Sequence, residues 1–67
     1  MTGLQQLVRQ QQRLLGLTQA AIAQRVGVSS SQLSKVLSGS QRLQTHVAIR
    51  LAAEISVDIR QLLEAIR

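Results

Sequence analysis

The sequence predicts an all-α fold of five short helices, and three features of it carry that prediction. Branched aliphatic residues recur at intervals of three and four, with no sustained alternation to suggest strands. Proline is absent, so nothing interrupts the helical period from within. Gly16, Gly27 and Gly39 each stand just after an apolar-periodic segment, where a helix ends on a left-handed residue that only glycine adopts cheaply. With 67 residues and no linker or repeat, the chain reads as one domain over 1–67.

The first helix is expected over 3–15. Thr2 and Gln5 have the spacing of a capping box, and Leu4, Leu7, Val8, Leu14 and Leu15 pattern the Gln-rich run as an amphipathic helix. Gln11 lies near this stripe, either at its edge or with its amide satisfied inside. The second helix is expected over 18–26, with Thr18 as a plain N-cap because Ala21, not Glu or Gln, stands three places on. Ser29 and Gln32 open the third helix, 29–38, with a second capping box. A fourth helix is expected over 45–54. Asp58 and Gln61 open the fifth, 58–66, in which Ile59, Leu62, Leu63 and Ile66 fall at i, i+3, i+4 and i+7.

Composition excludes several function classes. There is no cysteine, hence no disulfide, thiolate metal site or redox motif. There is no Phe, Trp or Tyr, which removes the stacking platforms that single-strand and RNA binders use. No apolar run approaches the roughly 20 residues of a membrane span, and no signal-peptide pattern opens the chain, so a cytoplasmic protein is expected. The formal net charge is +5, from eight basic and three acidic residues. No acid occurs before Glu54, so Arg9, Arg13, Arg25, Lys35, Arg42 and Arg50 have none beside them in sequence. A domain basic over most of its length, with its acids confined to one end, is suited to a polyanion.

Residues 18–38 meet the demands of two short helices that cross steeply through a tight turn. Ala23 stands where the backbones must approach, and Gly27 stands where the turn needs positive φ. Ile22, Val26, Val28, Leu33 and Val36 supply apolar inner faces. This is a helix-turn-helix. On the third helix, Leu33, Val36 and Leu37 define the inward side at 100° per residue. The opposite side is centred on Ser31, Lys35 and Ser38, with Ser34 beside them and Ser30 projecting from the first turn. In a DNA groove Lys35 would donate to guanine O6 and N7, while the serines and Gln32 fit several bases. Gln19 lies in the first turn of the second helix, where free N–H groups and the helix dipole favour a phosphate.

The run LTQAAIAQRVGVSSSQLSKVLSG resembles the helix-turn-helix of the lambda-repressor-like family of phage and bacterial regulators. The resemblance extends from Leu4 to Val57. It includes the entry from Gly16 to Gln19, Gly39, the pair Leu51-Ala52 and the run Ile55-Ser56-Val57. It implies a compact five-helix domain whose third helix enters the major groove. It gives Gln19 a phosphate contact and a bracing role toward the recognition helix, and it places Ser38, Gln41 and Arg42 on the DNA backbone. Gln11 and Gln12 depart from the apolar and basic residues that many members carry. Only three residues precede Leu4 and no domain follows the fifth helix, so neither a long basic arm nor self-cleavage is expected.

The candidate DNA-binding set is therefore Thr18, Gln19, Ser30, Ser31, Gln32, Ser34, Lys35, Ser38, Gln41 and Arg42. Leu62 is expected to plug the core. So short a helix cannot bury all four of its apolar residues, which leaves Ile59 or Ile66 at the surface. The resemblance makes the fifth helix a two-fold contact, with Ile59, Leu63 and Ile66 as the dimer interface. The expected function is a sequence-specific regulator of transcription, a repressor that binds double-stranded operator DNA as a homodimer in the nucleoid. An antitoxin or restriction controller, or a protein-interaction module, would reuse the same domain. His46 has no neighbouring ligand-type residue and is expected to face solvent or a phosphate. No acid-base pair for catalysis, cofactor motif, metal cluster or small-molecule site is evident.

Overall fold

The computed structural model describes residues 2–66; Met1 and Arg67, the ends of the expected domain, lie outside the described residues. Five helices follow one another: α1 (Gly3–Leu15), α2 (Gln19–Val26), α3 (Ser30–Ser38), α4 (Thr45–Glu54) and α5 (Ile59–Ile66). The described residues include no strand. Every helix ends where the apolar period predicts. α2, α3 and α5 begin one residue later than expected, because Thr18, Ser29 and Asp58 stand outside the helix with their side chains turned back onto it. Thr18 accepts from Ala21 N at 3.1 Å, Ser29 from Gln32 N at 3.0 Å and Asp58 from Arg60 N at 2.8 Å. The reciprocal bond of a capping box closes at α3, where Ser29 N donates to Gln32 Oε1 at 3.4 Å. Thr2 accepts from Gln5 N and donates its own proton across the molecule to Leu37 O, which ties the start of α1 to the end of α3.

Three of the four connections are built alike. Gly16-Leu17-Thr18, Gly27-Val28-Ser29 and, after Ile55 at the end of α4, Ser56-Val57-Asp58 each run left-handed residue, apolar residue, N-cap. In each, the apolar residue's N–H reaches back five residues to a helix carbonyl at 3.0 Å: Leu17 to Gln12 O, Val28 to Ala23 O and Val57 to Ala52 O. This is the Schellman closure, which satisfies a carbonyl the helix leaves orphaned and turns the apolar side chain inward. Leu17, Val28 and Val57 are accordingly half-buried against the core. The fourth connection, Gly39 to Gln44, opens the same way, with Ser40 N bonded to Lys35 O at 2.9 Å, and then runs longer.

The core draws on all five helices: Leu4 and Val8, Ile22 and Ala23, Leu33 and Leu37, Ala48, Leu51, Ala52 and Ile55 at the end of α4, and Leu62. α1 packs on α5 and α3, α2 on α3 and α4, and α4 on α5. Leu62 is fully buried, as expected. At roughly 1.5–3 kcal/mol for each large aliphatic side chain buried, this small set carries most of the drive to fold.

The apolar stripe of α1 differs from expectation at its far end. Leu14 is 72% exposed and Leu15 41%. At 100° per residue Leu14 lies 120° from Val8 and faces away from the body. Leu15 lies in line with Val8, but sits in the last turn, beyond the residues that α1 buries. Gln11 falls between Leu4 and Leu7 in angle, so it points inward. Its Nε2 donates to Ile55 O at 2.8 Å, capping a carbonyl at the C-terminal end of α4. The amide is therefore satisfied inside, and an apolar residue there would leave that carbonyl orphaned.

Candidate nucleic-acid interface

The helix-turn-helix spans α2, the joint at Gly27 and α3. Ile22, Ala23 and Leu33 are buried to 1% exposure or less, and Val26, Val28 and Val36 pack half-buried around them. Gly27 sits at φ 89° with nothing within 4 Å of where a Cβ would stand, so it is backbone conformation and not space that calls for glycine. With Leu33 and Leu37 turned into the core, the opposite side of α3 faces solvent: Ser30, Ser31, Gln32, Ser34, Lys35 and Ser38 are all exposed.

These residues differ in how free they are. Gln32 and Ser29 are bonded to each other, and Ser38 Oγ donates to Lys35 O at 3.0 Å while sharing a hydrogen bond with Ser40 at 2.9 Å. The Ser30, Ser31 and Ser34 hydroxyls and the Lys35 ammonium make no hydrogen bond among the described residues, and all four side chains are exposed and available to a ligand. The backbone beneath Lys35 is well anchored. Its carbonyl accepts from Ser40 N at 2.9 Å, from Gln41 N at 3.2 Å, and also from Gly39 N and Ser38 Oγ. The one charge on this face thus rises from a fixed base.

On α2, Thr18 is exposed and committed to its cap, and Gln19 is half-buried at the first helical position, with no acid in the first turn. Gln41 and Arg42 are exposed in the connection after α3. They line a concavity with Gly27, Val28, Gln32, Leu33, Val36, Gln44, His46 and Val47, so the turn, one edge of α3 and the start of α4 share one hollow. Sequence reasoning did not anticipate that hollow. Gln44 is an N-cap without a side-chain hydrogen bond, which leaves the first N–H groups of α4 open on its rim. His46 is exposed beside it.

Charge behaves nearly as the linear pattern suggests, with one correction. Arg25 Nη1 lies 3.9 Å from Glu54 Oε2, so the fold brings the first acid of the tail onto a cation of α2. At that length, and half exposed, the pair is worth at most about 1 kcal/mol. It is the only ion pair among the described residues, and Arg9, Arg13, Lys35, Arg42, Arg50 and Arg60 have no acid partner there. No cluster of His, Asp and Glu able to hold a metal occurs among the described residues, nor does any helix long and apolar enough to cross a membrane.

The residues expected at a dimer contact are divided by the structure. Leu63 is 51% and Ile66 47% exposed on α5, whereas Ile59 packs half-buried against the core. Ile49, which sequence reasoning passed over, is 58% exposed on α4.

Comparison with known proteins bears on the same segment. A family model described as a helix-turn-helix domain matches residues 4–65, nearly the whole chain. No curated protein and no solved structure matches the chain. The match runs through all five helices, and its two central ones form the crossed pair joined at Gly27, so the chain belongs to the helix-turn-helix domain family.

Proposed function

We propose that this protein is a sequence-specific, double-stranded-DNA-binding regulator of transcription of the lambda-repressor-like kind. In this reading it is a cytoplasmic, nucleoid-associated repressor that occupies an operator. The observation that carries it is the outer face of α3, where Lys35 and three unengaged serines stand exposed on a helix fixed at both ends. Inserted in the major groove, Ser30, Ser31, Ser34 and Lys35 read base edges. Gln19 at the start of α2, and Gln41 and Arg42 beyond α3, hold phosphates on either side. Gln32 and Ser38 brace the helix, and Thr18 caps the element that presents Gln19. Leu63 and Ile66 join two copies across a two-fold axis, with recognition helices about 34 Å apart on a palindromic site.

Titration of random and selected duplex DNA against salt tests this reading. Binding that weakens steeply with salt supports it, and absence of binding at low salt overturns it. Among variants, Lys35→Ala should reduce discrimination at one base position by about 1–3 kcal/mol, whereas Arg42→Ala should weaken all duplexes alike. Equal effects of the two would contradict the division into readers and clamps. The exposure of Leu14, Leu15 and Ile49 favours a second reading, in which the domain also holds a protein partner, as an antitoxin or restriction controller would.

A further inference from the structure

Arg9 and Arg13 stand one turn apart on α1, both exposed and both outside the interface described above. With Gln12 and Leu17 they line a shallow concavity where the end of α1 meets the lead-in to α2. Gln12 Nε2 donates to Leu17 O at 3.4 Å, holding that lead-in against the arginine face. Leu17, on its wall, is followed in the chain by Thr18, the N-cap of α2, and Gln19, its first residue.

Local structure makes little use of either arginine. Gly16 N and Leu17 N both bond to Gln12 O, so the end of α1 is closed without help from Arg13. Arg9 lies mid-helix, outside the last turn in which the dipole favours a cation. Neither has an ion-pair partner among the described residues. Two guanidinium groups without an ion-pair partner, on a concavity lined by no acid and next in the chain to the helix start that the DNA reading assigns to a phosphate, suit the oxygens of a nucleic-acid backbone.

We propose that Arg9 and Arg13 form a second phosphate clamp, holding the DNA backbone next to the phosphate at the start of α2 and lengthening the footprint beyond the recognition helix. The clamp rests on the DNA-binding reading above. It adds affinity without adding sequence information, because phosphates are the same at every base pair.

The test measures binding of the full chain to a random-sequence duplex and to a selected duplex over a range of salt concentrations. Each phosphate contact contributes about 0.9 to the slope of log K against log salt. Arg9→Gln with Arg13→Gln should therefore lower the slope by nearly 2 on both duplexes and leave the preference between them unchanged. Arg9→Lys with Arg13→Lys should restore most of the slope, and Arg60→Gln on α5 should leave it as in the parent. If the parent binds and the glutamine pair keeps its slope, the clamp is overturned while the DNA reading stands. The same holds if the lysine pair loses as much as the glutamine pair, or if Arg60→Gln lowers the slope as much per charge. If the parent does not bind at low salt, the DNA reading itself falls. Should the glutamine pair fail to fold, Arg9→Gln alone carries the test, with an expected slope change of about 0.9.

Discussion

At Ser56 the backbone stands at φ 58°, the one non-glycine residue with positive φ among those described. It occupies the place that Gly16 and Gly27 hold in the two equivalent joints. An L-residue in this conformation costs roughly 1–2 kcal/mol, and the exposed Ser56 side chain makes no hydrogen bond to offset it. Ser56→Gly should relieve that strain, less the roughly 0.5–1 kcal/mol by which glycine favours the unfolded chain. The expected net gain is a few tenths to about 1 kcal/mol, read as a higher denaturation midpoint with an unchanged slope. A midpoint at or below the parent's would mean that Ser56 holds the turn by a contact and not against its own preference.

Glycine matters for a different reason at the start of α1. A Cβ on Gly3 would lie 2.6 Å from Ala65 O, a backbone atom in the last turn of α5. α1 and α5 close on each other there, and neither backbone can yield without moving its helix. Gly3→Ala should thus destabilise the fold by about 1–3 kcal/mol despite alanine's better helix propensity, measured by denaturant unfolding. A neutral or stabilising result would show that α5 can shift outward at no cost. The two glycine arguments also mark what could be read from the sequence. Helix ends were legible because Gly16, Gly27, Gly39 and the polar caps are local signals with local causes. Gly3 was not, since its need arises from Ala65 at the other end of the chain, and Ser56 was not, since the residue type conceals the conformation. Gln11 was half legible: its place on the stripe could be seen, while its partner, Ile55 O, depends on how α4 lies across α1. In the site, the outward face of α3 followed from the period of Leu33 and Leu37. The hollow that joins Gln41 and Arg42 to the start of α4 needed the third dimension.

For the molecule as a whole, the radius of gyration is 10.3 Å and the three extents are nearly equal, at 26, 23 and 22 Å. In so small a body, the surfaces proposed for different partners cannot lie far apart. The α3 face, the arginine pair of α1 and the apolar end of α5 are all fixed to one core, and Leu62 and Leu37 reach it from two of them. Thr2 and Gly3 add a direct link, because one bonds to the end of α3 and the other abuts the end of α5.

The repeated three-residue joints also bear on how fast this structure assembles. Successive helices meet through very short closures, so most of the loop entropy that slows folding is never lost. With no proline in the chain, no isomerisation step can hold back a fraction of the molecules. Refolding from denaturant should therefore be a single exponential in microseconds to milliseconds, with no phase lasting seconds. A slow phase in a rapid-mixing experiment would point instead to association of chains, and its dependence on protein concentration would expose that cause.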